Sequence, residues 1–401
     1  MLATGSGAEG ADFALAERVT AAVRSVLGSP DAMIPLHEPE FRGREWDYVK
    51  ACLDTGWVSS VGSYVDRMEQ DLAAFTGIEH AIAAVNGTAA LHVCCILAGI
   101  EAGDEVLVPS LTFIATANAI SYQRATPHFV DSERVSLGVD AAALAAHLDR
   151  IAVRSGGLCR NRATGAVIRA LVVTHIFGHA ADLDALGRVC DDWGLVLIED
   201  AAEALGTHYR GRHVGGDGRL AALSFNGNKL MTTGGGGAVL TRDAELARRA
   251  KHITTVARSP HRWNFVHDEI GYNYRMPNIN AALGCAQLER VPDMLARKRL
   301  LADDYRAAFA PLNSVRFLDE PDYGTSNFWL NALVIDGATL AQRDAMLAAL
   351  NDANFMSRPI WTLIHRLPMY RDCPRAELGN AEALEREVIN VPSSANLADR
   401  R

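Results

Sequence analysis

Residues 224–237 read SFNGNKLMTTGGGG, with a single lysine, Lys229, between Ser224 and a run of four glycines. A lysine amine held in place can bond to a carbonyl carbon and can carry protons. The plain alternative is a solvated loop lysine next to a flexible turn, because most lysines lie at the surface. Two phosphate-loop patterns fail here. The pattern GxxxxGK[ST] needs Gly before the lysine and Ser or Thr after it, whereas Asn228 and Leu230 flank Lys229. GxGxxG lacks its third glycine in Gly234–Gly237.

Three further clusters share this character. In LVLIEDAAE, residues 195–203, Asp200 ends an apolar run. Carboxyl ends of strands are where open α/β sheets place ligands, and a carboxylate there can pair with a protonated ring nitrogen. Its alternatives are a helix cap or an acidic metal cluster with Glu199 and Glu203. No histidine stands at ligand spacing to these acids, so no metal site is expected. Asn86-Gly87-Thr88 falls at a strand-to-helix junction, where helix N–H groups bind phosphate and glycine allows close approach. Thr88 adds a hydroxyl. The same triplet matches a glycosylation acceptor, a chance match in a chain with no secretory signal. Phe113, in PSLTF, follows another strand end and could stack on a flat ring or fill the core.

The elements that must position these residues alternate. Strands are predicted at 81–86, 105–109, 126–131, 168–175, 195–200, 220–225 and 236–241. Helices are predicted at 88–99, near 112–123, at 140–150 and at 182–193, with a polar loop over 154–167. Short apolar runs alternating with helical periods imply crossover units and a mainly parallel sheet. After about residue 291 the pattern becomes a helix near 293–310, strands at 314–318 and 327–335, a helix near 339–351 and a Pro-containing tail. The expected organisation is an N-terminal extension over 1–30, an arm over 31–63, a large domain over 64–291 and a small α+β domain over 292–401. Residues 11–27 have helical periodicity and stop at Gly28-Ser29-Pro30.

Composition narrows the function classes. The 401 residues are 49% hydrophobic and 22% charged, as in an ordinary globular protein. A net charge of −9 argues against a general nucleic-acid binder, which needs cations to offset phosphates. The seven cysteines form no CxxC pair and suggest neither a disulfide framework nor zinc. No basic start precedes an apolar run, and no stretch reaches the ~20 apolar residues of a membrane span. The expectation is a cytoplasmic enzyme with no membrane partner.

The order of the clusters is that of the aspartate-aminotransferase fold of pyridoxal-phosphate enzymes. The chain resembles the DegT-type sugar aminotransferases from about Ile34 to Asn396, through NGTAALH, PSLTFIATANAI, EDAAEALG, SFNGNK…TTGGGG and GYNYRMPNINAALG. TGWVSSVGSYVDRME, SRPIWTLIHRLPMY and Glu203 make it most similar to the enzymes that aminate C4 of nucleotide-linked 4-keto-6-deoxy-N-acetyl-hexoses, the bacillosamine and legionaminic types. The resemblance implies pyridoxal 5'-phosphate carried on Lys229, which also shuttles protons. Asp200 would pair with the pyridine nitrogen, Gly87, Thr88 and Ser224 would hold the phosphate, Phe113 would stack on the ring, and Glu203 would lie on its hydroxyl side. Asn273 would reach the phosphate of a neighbouring subunit's cofactor, which implies a homodimer with shared sites, and Arg275 could hold a substrate carboxylate. L-Glutamate would be the amino donor and a nucleotide sugar, UDP-linked, the acceptor. C3 amination and GDP- or dTDP-linked sugars stay open. A sugar dehydratase is disfavoured, because those relatives carry histidine where Lys229 stands. A regulatory cofactor-binding protein would need a DNA-binding module that the chain lacks, and an α/β protein without the cofactor would show no chromophore.

Overall fold

The computed structural model describes residues 6–400, so residues 1–5 of the N-terminal extension and Arg401 lie outside the described residues. A seven-stranded sheet forms the centre of the larger lobe. Its order is His80–Ala84, Gly237–Thr241, Leu220–Ser224, Val196–Asp200, Ile168–Thr174, Glu105–Pro109 and Thr126–Val130. The five strands from Leu220–Ser224 to Thr126–Val130 run parallel, while His80–Ala84 and Gly237–Thr241 pair antiparallel at one edge.

Side chains of each strand alternate between two cores, as the two-residue period of a strand requires. Leu107, Leu171, Leu197 and Leu223 enter one cluster, and Val106, Val172, Ile198 and Ala222 enter the other. Both faces are covered by helices, which is why these strands read as nearly continuous apolar runs. Helix boundaries follow their caps. Asn86 caps Gly87–Leu97 by accepting from Ala89 N–H at 2.7 Å, and Asp140 and Asp182 do the same for Ala141–Ile151 and Leu183–Trp193.

The smaller lobe packs Val291–Phe309 and Leu340–Asp352 on an antiparallel sheet of order Arg316–Phe317, Asn331–Val334, Val388–Val391 and Arg358–Pro359. Two expectations are corrected. The polar stretch 154–167 contains a hairpin, Ala152–Ser155 paired with Leu158–Asn161, because Gly156 and Gly157 both adopt positive φ and close a tight turn. The Pro-containing tail carries two elements not predicted: Gly379–Glu387 is a helix, and Val388–Val391 is an interior strand of the small sheet. The helix Ser6–Leu27 packs on Val291–Phe309 and Leu340–Asp352, with Val19, Val23 and Leu27 buried among Leu301, Tyr305 and Leu350. Among the described residues, no helix is long and apolar enough to cross a membrane.

Candidate active site

A cavity of about 340 Å³ opens over the carboxyl ends of the parallel strands. Gly87, Thr88, Phe113, Asp200, Glu203, Ser224 and Lys229 all line it. Asn273 does not: it is exposed and pairs its backbone with Thr255 outside this chain's cavity. Arg275 is likewise elsewhere, buried with its guanidinium on Glu69 and 3.7 Å from Asp66.

One wall is built by backbone. The helix Gly87–Leu97 starts at the cavity, so its N-terminal peptide dipoles face inward. Two glycines permit this. A Cβ on Gly87 would lie 2.8 Å from the Ser224 Cβ, and one on Gly237 would lie 2.7 Å from the Gly87 nitrogen and the Leu223 oxygen. The turn, the end of Leu220–Ser224 and the start of Gly237–Thr241 therefore pack at a distance that only glycine allows. The result is a cradle of N–H and hydroxyl groups suited to a phosphate.

Asp200 lies at the floor, fully buried. Its Oδ2 accepts from Thr116 Oγ1 at 2.6 Å, and its Oδ1 accepts from Ala202 N–H at 3.2 Å. Burial pushes its carboxyl above the usual range, against the pull of these donors. Among the described residues no Lys, Arg or His forms an ion pair with it, so a cationic atom entering the cavity would complete the site. Glu199 faces the opposite side of the sheet, where it accepts from His175 Nε2 at 3.0 Å and from the Gly215 and Asp217 N–H groups. That alternation is why the acids of LVLIEDAAE cannot converge on one metal.

Lys229 Nζ lies 3.3 Å from Glu203 Oε1 and 3.9 Å from the centre of the Trp329 indole. Glu203 Oε2 also accepts from Phe177 N–H at 2.9 Å, and burial raises this carboxyl too. Phe113 is half exposed at the rim, where its helix Ile114–Tyr122 begins. An exposed aromatic over a cavity with a buried acid and an anion cradle matches a flat, cationic, phosphorylated ligand. Pyridoxal phosphate has this set of groups, and the residues present fit it.

Sequence reasoning missed three contributors. Thr116 lies in PSLTFIATANAI one helical turn after Phe113, a spacing that places both on one face. Trp361 belongs to SRPIWTLIHRLPMY, and its ring meets that of Phe177 at 5.1 Å. Trp329 carries no local signal, since only the tertiary fold brings the smaller lobe to Lys229.

Comparison with known proteins agrees with this geometry. The family model for the DegT/DnrJ/EryC1/StrS aminotransferase family matches residues 39–401. GDP-perosamine synthase of Caulobacter vibrioides is 37% identical over 91% of this chain and 94% of its own length. GDP-perosamine synthase of Escherichia coli O157:H7 is 36% identical over 92% and 95%. The structure of the aminotransferase TlmJ from Streptoalloteichus hindustanus superposes with a TM-score of 0.81 at 27% identity, covering 90% of this chain and 94% of that one.

Proposed function

This chain belongs to the DegT/DnrJ/EryC1/StrS aminotransferase family, and we propose that it moves an amino group from L-glutamate to C4 of a nucleotide-linked 4-keto-6-deoxy sugar. It is a sugar-nucleotide aminotransferase, and its cofactor is pyridoxal 5'-phosphate. The observation that carries the proposal is the convergence of an anion cradle, a buried acid without a cation and Lys229 in one cavity.

Bound pyridoxal phosphate supplies a carbonyl for amine exchange and a ring that takes up electrons when a C–H bond breaks. The chain's own groups do the rest. Gly87, Thr88 and Ser224 bind the phosphate, and Phe113 covers the ring. Asp200, kept dry, holds a proton on the pyridine nitrogen. Glu203 orients the Lys229 nitrogen and would face the ring hydroxyl of the bound cofactor. Lys229 carries the cofactor and, once released, moves a proton at Nζ. Remote contacts to the nucleotide lower the barrier by holding the keto carbon in place.

The sequence motifs suggested a UDP-linked acceptor, whereas two relatives are named for a GDP-linked product. Those names favour GDP. The exposed position of Asn273 suits a role in a partner's site and thus a homodimer. The test is to incubate enzyme and L-glutamate with GDP- and UDP-linked 4-keto-6-deoxy sugars and analyse the products by mass spectrometry and NMR. Nitrogen on C4 of the GDP sugar is expected. Turnover of neither sugar, or nitrogen on another carbon, would reject the substrate assignment.

A further inference from the structure

We propose that Trp329 is a positioning residue for Lys229: its indole face seats the Lys229 nitrogen whenever that nitrogen is not bonded to the cofactor, and Lys298 anchors the Trp329 backbone. This rests on the reading of Lys229 given above. The Lys229 side chain is short of partners. Its nitrogen touches one carboxylate oxygen, of Glu203, and the flat of Trp329. A cation over an indole is held by the ring quadrupole, most strongly where water is excluded.

Trp329 is held on every side. Its Nε1 donates to Asn228 O at 2.7 Å, the residue just before Lys229. Its backbone N–H donates to Asn327 Oδ1 at 2.8 Å, and Asn327 Nδ2 donates in turn to Glu203 O and Leu205 O. Its carbonyl accepts from Lys298 Nζ at 3.1 Å. The residue before it, Phe328, has φ 46, a left-handed conformation that a bulky side chain keeps only where the surroundings enforce it. The enforcement is visible: Phe328 N–H donates to Ser326 Oγ, which donates to Gly178 O.

Lys298 is the least expected member of this set. It is fully buried on Val291–Phe309 and donates to Trp329 O and to Ser393 O at 2.5 Å. Among the described residues it has no carboxylate partner. Burial pulls its pKa down to about 7. A buried ammonium bonded only to peptide oxygens is costly, and what it secures is the backbone of Trp329. The charged and titratable groups facing Lys229 itself are Glu203, Asp200 and, from the arm, His37.

The readout is the uptake of pyridoxal phosphate by cofactor-stripped protein, followed by the yellow absorbance of the tethered cofactor as a function of pH. Uptake needs the neutral amine, and the indole favours the charged one. In Trp329→Leu the pH midpoint for uptake is expected to fall by about one unit. Trp329→Phe should fall by less, and Lys298→Met should move the midpoint in the same direction while staying folded. A merely structural role would lower stability and leave the midpoint in place. An unmoved or raised midpoint in Trp329→Leu and Trp329→Phe overturns the proposal. Lys229→Ala distinguishes the underlying reading: if that variant still traps the cofactor covalently under borohydride, the Lys229 assignment fails whatever Trp329 does.

Discussion

The two walls of the cavity are made differently. One rises from the central sheet: Gly87, Asp200, Ser224 and Lys229 sit at or just after strand ends, each fixed by its own strand or helix start. The other is assembled from loops: Trp329 and Trp361 line it, and Phe177 packs behind them against the Trp361 ring. Phe177 and Phe328 both hold left-handed backbone there, with φ 55 and 46, whereas the sheet wall places only glycines in its tightest positions. The proposed catalytic groups rest on regular structure, and the facing wall rests on strained segments that neighbouring bonds must hold.

The sharpest way to break this contrast is at Lys229. Lys229→Ala is expected to lose at least about 1,000-fold in transamination with an unchanged circular dichroism spectrum, because nothing else in the cavity can carry the cofactor. A variant with near-normal turnover would remove the sheet wall from the chemistry. Asp200→Ala comes next. On the proposed reading it removes the partner of a buried cationic nitrogen and should weaken cofactor affinity by about 100-fold. Equal affinity in a cofactor titration would give Asp200 a different task.

Gly237→Ala sharpens the backbone side of the comparison. Its methyl would strike peptide atoms that cannot rotate away, and the expected cost is about 2 kcal/mol in chemical denaturation, together with weaker phosphate binding. A parental midpoint in urea would mean that the cradle tolerates more room than its contacts imply. Thr116→Val keeps the shape but removes the donor to Asp200 Oδ2, which should cost about tenfold in kcat/KM through a less firmly held carboxylate. Unchanged kinetics would show that burial alone fixes Asp200.

The smallest effect concerns pH. His213 Nε2 accepts from Gly206 N–H at 2.8 Å, in the segment that follows Asp200 and Glu203, so the ring must stay neutral there. Burial lowers its pKa from 6.5 to about 4. The unfolded chain therefore binds a proton that the folded chain refuses between these values, and stability falls as pH falls from about 6.5 to 4. His213→Gln keeps an acceptor without the titration, and its melting temperature should decline less steeply across that window. Parallel slopes for parent and variant would assign the acid sensitivity to other groups.

The same contrast explains what could be read from the chain. Strand ends with Asp200, Gly87 and Ser224 announce themselves because an apolar run, a turn residue and a polar side chain are adjacent in sequence. The parallel sheet follows from the same alternation. Trp329 and Lys298 were invisible because their meaning is created by residues at 228 and 393, far along the chain. The hairpin within 152–161 was hidden by polar side chains, and the helix Gly379–Glu387 by the prolines before it. Asp200 was legible, but its donor Thr116 was not singled out.

The helix Ser6–Leu27 has a consequence in time. It leaves the ribosome long before its partners, because the helices it packs against begin at Val291 and Leu340. At roughly 5–20 residues per second, the apolar stripe of Val19, Val23 and Leu27 waits for some 10 to 60 seconds before its resting place has been made. During synthesis the nascent chain therefore presents a hydrophobic helix while the central sheet is being built, and closing that helix onto the smaller lobe is a late step of biosynthesis.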